Sequence, residues 1–234
     1  MANILICDDE PSIVKALRIY LSSEGYRLFE APDGKRALEI LRREEIHLVL
    51  LDIMMPEMDG ISALAALREE SNVPVILLTA KSEDADVILG LTVGADDYVT
   101  KPFNPAELIA RVRSCLRRYL QLGGGGEREG VLSCGGLELD DRSKRVTLDG
   151  TQLSLTPTEY GILKLLLEHP GRVFSPEEIY RRVWGGDPLG GEKTVAVHIR
   201  NLRTKIEIDP SRPRMLKVVW GQGYKMEKEP THGS

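Results

Sequence analysis

Hydrophobic and polar positions follow one repeating pattern through the first half of the chain. Short apolar runs alternate with longer segments in which apolar residues recur every three or four positions, which predicts alternating strands and helices. The predicted strands are 3–7, 27–30, 48–51, 75–78 and 98–100. The predicted helices are 11–24, 34–44, 60–70, 83–93 and 105–119. Five strand–helix repeats predict an α/β fold, with a five-stranded parallel sheet covered by helices on both faces.

The second half follows a different order. Short strand patterns occupy 131–155, and the helical pattern then returns. The predicted helices are 157–168, 176–184 and 193–207, followed by a hairpin at 217–227. Between the halves, residues 123–130 contain five glycines and no apolar residue, which favours a flexible linker over a long surface loop within one domain. We therefore expect an α/β domain at 1–120, a linker at 121–130, an α+β domain at 131–228 and a disordered tail at 229–234.

Composition and charge agree with two folded domains. Of the 234 residues, 42% are hydrophobic and 29% are charged, which is typical of globular proteins. Residues 1–122 carry 14 basic and 20 acidic side chains, and residues 123–234 carry 17 and 16. No stretch approaches the ~20 uncharged apolar residues of a membrane span, so we expect a cytoplasmic protein with no membrane partner. The three cysteines lack metal-ligand spacing and are interpreted as free thiols.

Chemically active side chains follow four of the five predicted strands. Asp8 and Asp9 follow the first strand, and Asp52 follows the third. Thr79 and Lys101 follow the fourth and fifth. Each residue alone has an ordinary explanation as a turn, cap or surface residue, but the carboxyl ends of parallel strands meet at one sheet edge. Clustered carboxylates favour a hard divalent cation such as Mg²⁺, and Asp52 is placed to act as a nucleophile.

The motifs around these residues resemble a known family. They are Asp8-Asp9-Glu10, Leu51-Asp52-Ile53-Met54-Met55-Pro56, Leu78-Thr79-Ala80, and GADDYVTKPF at 94–103. Over residues 2–120 the chain resembles the receiver domain of bacterial two-component response regulators. The resemblance implies a flavodoxin-like fold and a sensor histidine kinase as phosphoryl donor.

The resemblance also implies roles for individual residues. Asp52 would be the phosphoacceptor, with Lys101 and Thr79 completing the catalytic set. Asp8 and Asp9 would bind Mg²⁺ together with Asp52 and the backbone carbonyl of Met54. Thr79 and Tyr98 would form a switch pair, and the Lys101–Pro102 bond would be cis.

In this family the fourth helix, fifth strand and fifth helix form the face through which phosphorylated receivers make homodimers. The charged residues expected on that face are Asp96, Asp97, Glu107, Arg111, Arg113 and Arg118. The alternative is a solvated charged surface. Val87 stands where many relatives carry a basic residue, so one ion pair between subunits is expected to be missing.

The segment 193–206 contains four fixed positive charges and no acidic residue. An apolar stripe at helical spacing is expected to be buried, formed by Val195, Ile199, Leu202 and Ile206. Polar residues between these positions are expected to be more exposed, namely His198, Arg200, Asn201, Arg203, Thr204 and Lys205. This mixture suits binding to phosphates and base edges, whereas the alternative is an amphipathic helix with a solvated basic face.

Flanking motifs resemble the winged-helix effector domain of the OmpR/PhoB family over about 131–228. They are LTPTEY at 155–160, PGRVFS at 170–175, and the segment from Asp209-Pro210 to Lys225. The resemblance implies that 193–207 is a recognition helix for double-stranded promoter DNA. The implied DNA-binding residues are Arg200, Asn201 and Arg203, supported by Thr194, His198 and Lys205, with Gly221 and Gly223 allowing the wing to turn near the minor groove. The loop 185–191 would contact RNA polymerase.

Together these features predict a transcription regulator controlled by phosphorylation, similar to vancomycin-resistance-type regulators around 90–98 and 108–113. We expect no enzyme activity beyond its own phosphorylation and slow dephosphorylation. A Mg²⁺-dependent phosphohydrolase is disfavoured, because Met54 stands where one such class needs an acid. A regulator that binds DNA without phosphorylation is disfavoured by the complete set of residues at the sheet edge.

Overall fold

The structure is a computed structural model that describes residues 1–80, 84–121, 131–185 and 191–228. The chain divides into two compact units, Met1–Leu120 and Gln121–Ser234. Most of the expected linker (122–130) and the expected tail (229–234) lie outside the described residues. Their flexibility therefore stays a prediction.

The N-terminal unit is a parallel sheet with helices between its strands. Its strands are β1 (Asn3–Cys7), β2 (Arg27–Ala31), β3 (Leu48–Asp52), β4 (Val75–Ala80) and β5 (Asp97–Lys101). Its helices are α1 (Pro11–Ser22), α2 (Gly34–Arg43), α3 (Gly60–Glu70), α4 (Asp84–Val93) and α5 (Pro105–Gln121). The strand order is β2-β1-β3-β4-β5, and all neighbours are parallel. The predicted α/β fold is confirmed, with boundaries shifted by a few residues.

Both faces of this sheet are buried. On one face, Ile6, Leu50 and Leu78 pack in a core that includes Leu17 of α1 and Val112 of α5. The intervening strand residues are buried as well, and α2 and α4 contact the strands while α3 contacts both of these helices. Burial on both faces explains why β3 and β4 are continuously apolar.

Two Asp-Gly pairs mark helix starts in the N-terminal unit. Asp33 accepts a hydrogen bond from the backbone N–H of Arg36, and Asp59 accepts one from that of Ser62, each at 2.8 Å. These carboxylates are N-caps, which satisfy backbone donors that a helix leaves unpaired. The cap at Asp59 also fixes where α3 begins after β3.

The C-terminal unit combines a small sheet, three helices and a hairpin. Its strands are β6 (Val131–Cys134), β7 (Leu137–Asp140), β8 (Arg145–Leu148), β9 (Thr151–Gln152), β10 (Leu216–Val219) and β11 (Gly223–Met226). Its helices are α6 (Pro157–Leu167), α7 (Pro176–Trp184) and α8 (Gly191–Ile206). Strands β6 to β9 form an antiparallel sheet, and β10 and β11 form the hairpin, so the predicted α+β domain is confirmed.

A buried carboxylate joins the small sheet to α6. Asp141 follows β7 and accepts hydrogen bonds from the hydroxyl of Tyr160 at 2.6 Å and from Lys144 and Lys164 at 2.7 Å each. Burial alone raises the pKa of Asp141, but these hydrogen bonds outweigh it and lower the pKa to about 2. The ionised carboxylate therefore stabilises the attachment of α6 to the sheet.

This network predicts a specific acid sensitivity. Because the folded-state pKa of Asp141 lies below its ordinary value of 3.8, its stabilisation is present above pH 4 and is lost as the pH falls towards about 2. The loss corresponds to roughly 2 kcal/mol of unfolding free energy. Urea unfolding of the C-terminal unit should show this pH dependence in the wild type. An Asp141→Asn variant should be less stable at neutral pH and should show a flatter curve, and equal slopes for both would contradict the assignment.

Candidate functional site

Three carboxylates meet at the carboxyl edge of the parallel sheet. Asp8 and Asp9 directly follow β1, and Asp52 is the last residue of β3. These strands are neighbours, with Cys7 paired to Leu51, so the acids arrive side by side. One ligand oxygen from each of the three lies within 4.8 Å of the others. The predicted convergence is therefore present in the folded chain.

Lys101, the last residue of β5, bridges two of the carboxylates. Its Nζ lies 2.8 Å from Asp8 Oδ2 and 2.9 Å from Asp52 Oδ1. Glu10 lies at the mouth of the site, with Oε1 3.7 Å from the same Nζ. Glu10 was not among the predicted site residues, although it directly follows the two aspartates.

Burial and neighbouring charges shift the pKa values of this pair. Burial raises the pKa of Asp52, the hydrogen bond and charge of Lys101 oppose that shift, and the charges of Asp8 and Asp9 add to it. Burial lowers the pKa of Lys101, but hydrogen bonds to Asp8 and Asp52 outweigh it, and the net direction is upward. Lys101 is therefore held as a cation among the acids.

The donor set fits Mg²⁺. Carboxylate oxygens are the hard ligands that this ion prefers, and an ion among the three acids would relieve repulsion that a single lysine only partly offsets. Met54 lies two residues beyond β3 with its side chain 66% exposed. Its carbonyl remains a predicted ligand.

Thr79 and Tyr98, the predicted switch pair, lie on adjacent strands. Thr79 is buried in β4, and its hydroxyl donates a hydrogen bond to the carbonyl of Ala80 at 3.3 Å. Tyr98 is half-buried in β5. The Lys101–Pro102 bond is cis, as predicted. The switching role of the pair stays a prediction.

Gly60, the first residue of α3, presses against the strand that carries Asp52. Its N–H donates to the carbonyl of Ile53 at 2.8 Å, and a Cβ at this position would lie 2.0 Å from the carbonyl oxygen of Asp52. A Gly60→Ala variant must therefore displace backbone, and its unfolding free energy should fall by about 1–3 kcal/mol. Denaturant unfolding of the N-terminal unit would measure the loss. If the variant is as stable as the wild type, α3 can shift without cost.

The predicted dimer face needs correction. Asp96 is fully buried, and its Oδ2 accepts hydrogen bonds from Arg68 of α3 and from the backbone N–H of Val75. Asp97 is also fully buried, with both carboxylate oxygens 2.9 Å from Nη1 of Arg111. Neither acid can meet a second subunit while these contacts hold. Burying a carboxylate without a hydrogen-bond or ion-pair partner is costly, and both acids find their partners within their own domain.

The other predicted residues of that face also have partners within their own domain. Glu107 is exposed and pairs with Arg111. Arg113 lies two positions after Arg111, and residues two apart on a helix point in nearly opposite directions. Arg113 therefore pairs with Glu24, which follows α1. Arg118 contacts the side chains of Ser114 and Cys115. The expectation that all six residues share one exposed face is wrong.

The helix α8 buries a wider face than the predicted stripe. Val195, Ile199, Leu202 and Ile206 are buried as expected. Three predicted DNA-binding residues are buried as well, namely Thr194, His198 and Asn201. The prediction that His198 and Asn201 are more exposed is wrong, because α8 packs against both α6 and α7.

Two more predicted DNA-binding residues are held inside the domain. Arg203 is half-buried, and its Nε donates to the carbonyl of Leu216 at 2.9 Å. Lys205 pairs with the buried carboxylate of Glu159 at 2.7 Å. The exposed residues of α8 are Glu192, Lys193, Ala196, Arg200 and Thr204. Arg200 is thus the predicted contact that remains fully available, while Lys193 and Ala196 were not assigned.

The hairpin β10–β11 has the shape expected of a wing. Trp220 at its turn is 88% exposed, and Gly221 adopts a φ of +71° in open space. Gly223 also has a positive φ, +140°, and in addition a Cβ there would lie 1.9 Å from the carbonyl oxygen of Phe174. It lets Tyr224 pair with Phe174 and is needed for packing. In the loop expected to contact RNA polymerase, 186–190 lie outside the described residues.

Comparison with known proteins decides the family. Residues 4–113 match the response regulator receiver domain, and residues 150–226 match the C-terminal domain of transcriptional regulatory proteins. The chain belongs to the OmpR/PhoB family of response regulators. It is 44% identical to the regulatory protein VanR of Enterococcus faecium over 97% of this chain and 99% of the relative. It is also 44% identical to the DNA-binding response regulator MtrA of Mycolicibacterium smegmatis, over 95% and 96%.

Solved structures place the response regulator in the same fold. The response regulator DrrB of Thermotoga maritima, an OmpR/PhoB homologue, is 35% identical with a TM-score of 0.51 and covers 97% of this chain and 99% of its own. A RitR mutant has a TM-score of 0.75 at 23% identity over the same shares, which supports the fold alone. Among the described helices of the response regulator, none is long and apolar enough to span a bilayer.

Proposed function

We propose that this response regulator accepts a phosphoryl group on Asp52 from a sensor histidine kinase and that phosphorylation controls its binding to promoter DNA. The observation that carries the proposal is the placement of the Asp52 carboxylate 2.9 Å from Lys101 and within 4.8 Å of Asp8 and Asp9. Together these residues supply a nucleophile, a fixed cation and a set of metal ligands.

In the transfer step, a carboxylate oxygen of Asp52 attacks the phosphorus of the donor. A new O–P bond forms, and the P–N bond to the kinase histidine breaks and leaves its electron pair on the imidazole. Mg²⁺, when bound, supplies positive charge for the phosphoryl oxygens. Lys101 supplies a second positive charge. Because its ammonium group pairs with Asp52, it can move to a phosphoryl oxygen as the carboxylate loses its charge. Thr79 offers a hydroxyl at the same edge.

DNA binding is proposed for α8 and the wing formed by β10 and β11. Four of the five exposed residues of α8, namely Lys193, Ala196, Arg200 and Thr204, recur every three or four positions, so they form one face that can enter a major groove. Arg200 is the base-reading or phosphate-binding candidate best supported by exposure. Promoter-bound protein would then meet RNA polymerase.

Phosphorylation is proposed to act through receiver dimers. Because the charged residues expected on the dimer face are engaged within the domain, apolar contacts must contribute more, and Ile88 and Leu89 of α4 are 42% and 48% exposed. A dimer raises the local concentration of the second winged helix at a paired half-site. Dimerisation thereby converts a change at Asp52 into a change in DNA affinity.

One experiment tests whether phosphorylation controls DNA binding. The full chain would be incubated with Mg²⁺ and an acyl phosphate donor, and its affinity for a duplex selected from a random-sequence pool would be compared with that of the untreated chain. We expect tighter binding and a larger sedimentation mass after phosphorylation. Equal affinities at full phosphate incorporation would favour a regulator that binds DNA independently of phosphorylation.

A further inference from the structure

The end of the recognition helix is tied to the wing by two side chains. Glu207 directly follows α8 and is buried. Its Oε2 accepts a hydrogen bond from the N–H of Arg214 at 2.8 Å. Its Oε1 accepts two more, from the N–H groups of Met215 at 2.9 Å and Leu216 at 2.8 Å. One carboxylate thus binds three successive backbone donors where the wing begins.

Arg203 completes this connection from the preceding helical turn. Its Nε donates to the carbonyl of Leu216, the residue whose N–H is held by Glu207. Positions four apart lie on the same side of a helix, so both side chains reach the same strand end. Glu207, Arg203 and the backbone of 214–216 are here called the helix–wing clasp.

The strand held by the clasp is the first strand of the wing. Leu216 pairs with Met226 at the base of the hairpin, and both side chains are fully buried. From that base the hairpin runs to its turn, where Trp220 is 88% exposed. Fixing the base of a short, twisted hairpin fixes the direction of its tip. The clasp therefore sets the position of the wing relative to α8.

We propose that Glu207 is a positioning residue for DNA recognition, which holds the wing and the recognition helix in the arrangement needed to contact adjacent grooves together. The inference rests on the proposed DNA-binding function. Glu207 is buried, and its two carboxylate oxygens are occupied by three backbone N–H groups, so it acts by limiting the conformations that the domain must lose on binding. Arg203 belongs to the same clasp, which explains why its guanidinium contacts Leu216 within the domain.

Electrostatics and positioning predict opposite results for a Glu207→Gln variant. Removing a negative charge from a DNA-binding domain should by itself strengthen binding to a polyanion. The clasp instead predicts weaker binding, because an amide replaces one acceptor oxygen with a group that cannot accept a backbone N–H. We expect about tenfold weaker binding at a fixed salt concentration. Glu177→Gln on the exposed surface of α7 makes the same charge change and should not weaken binding.

The test uses the full chain and a duplex selected by the wild type from a random-sequence pool. Affinity would be measured for the wild type, Glu207→Gln, Glu207→Asp and Glu177→Gln. Amide hydrogen exchange would be followed in parallel for 212–226 and for 193–202. In Glu207→Gln we expect weaker DNA binding with faster exchange confined to 212–226. Glu207→Asp keeps the carboxylate and should recover part of the affinity, and it serves as the test variant if Glu207→Gln does not fold.

The alternative is that Glu207 merely stabilises the domain. Equal DNA affinity of the Glu207 and Glu177 variants would overturn the inference, and so would faster exchange in 193–202 to the same extent as in 212–226. A wild-type chain that selects no duplex would overturn the proposed DNA binding and the clasp's role with it. If the wild type binds the duplex and Glu207→Gln binds it with the same affinity, the clasp's role alone is overturned.

Discussion

Replacing Asp52 with Asn is expected to abolish phosphoryl transfer to this chain. The side chain keeps its size and can still approach Lys101, but an amide oxygen is a poor nucleophile and the negative charge is lost. Incorporation of phosphate from an acyl phosphate donor in the presence of Mg²⁺ should fall by roughly two orders of magnitude or more. The increase in DNA affinity that follows phosphorylation should disappear with it. Both quantities can be read in one titration of the same preparation.

A matched control is available at Glu57. Its carboxylate is largely exposed and pairs with Lys35, and Glu57→Gln makes the same change of charge outside the acidic cluster. This variant should incorporate phosphate as the wild type does. Substantial incorporation by Asp52→Asn would show that another residue is the acceptor, and the assignment of Asp52 would then be withdrawn.

Replacing Arg200 with Ala should produce the largest loss of DNA affinity among single changes on α8. Arg200 is exposed on the face that α8 presents, whereas Arg203 and Lys205 are engaged within the domain. A well-formed arginine contact to a base is worth about 1–3 kcal/mol, which corresponds to a loss of roughly 5-fold to 150-fold. If Arg200 instead binds a phosphate, the loss should be similar for all sequences, and the slope of affinity against salt should fall by about 1.

Arg212 provides the control for overall charge. It is highly exposed in the loop after α8 and pairs only with Asp209 among the contacts of the described residues. Arg212→Ala removes the same charge, and its affinity should stay close to that of the wild type. Equal losses for both variants would indicate a general electrostatic effect and would remove Arg200 from the recognition surface.

The acidic site could be predicted because its residues are defined by their positions at the ends of strands. Each of Asp8, Asp52 and Lys101 directly follows a predicted strand, and a parallel sheet brings such strand ends together whatever the helices do. The need for glycine at position 60 could not be predicted in this way. It arises from how closely α3 approaches β3, which depends on the packing of the whole domain.

Helix α8 shows where sequence patterns become insufficient. Helical periodicity placed Val195 and Ile199 in the core correctly, but it assumes one buried stripe. Packing of α8 on two other helices widened that stripe to include His198 and Asn201. Polar residues at the margin of an apolar stripe are therefore ambiguous until the number of neighbouring elements is known. Ala196 was not assigned to the DNA contacts because a small apolar residue gives no chemical signal of its own.

The adjacent acids at the start of β5 are tied to different helices. Asp96 holds Arg68 of α3, and Asp97 holds Arg111 of α5, because successive residues on a strand face opposite ways. This end of β5 is thereby fixed to both α3 and α5. If α3 or α5 tilts in response to events at the acidic cluster, the smallest displacement will occur here and the largest near Lys101, at the other end of the same strand.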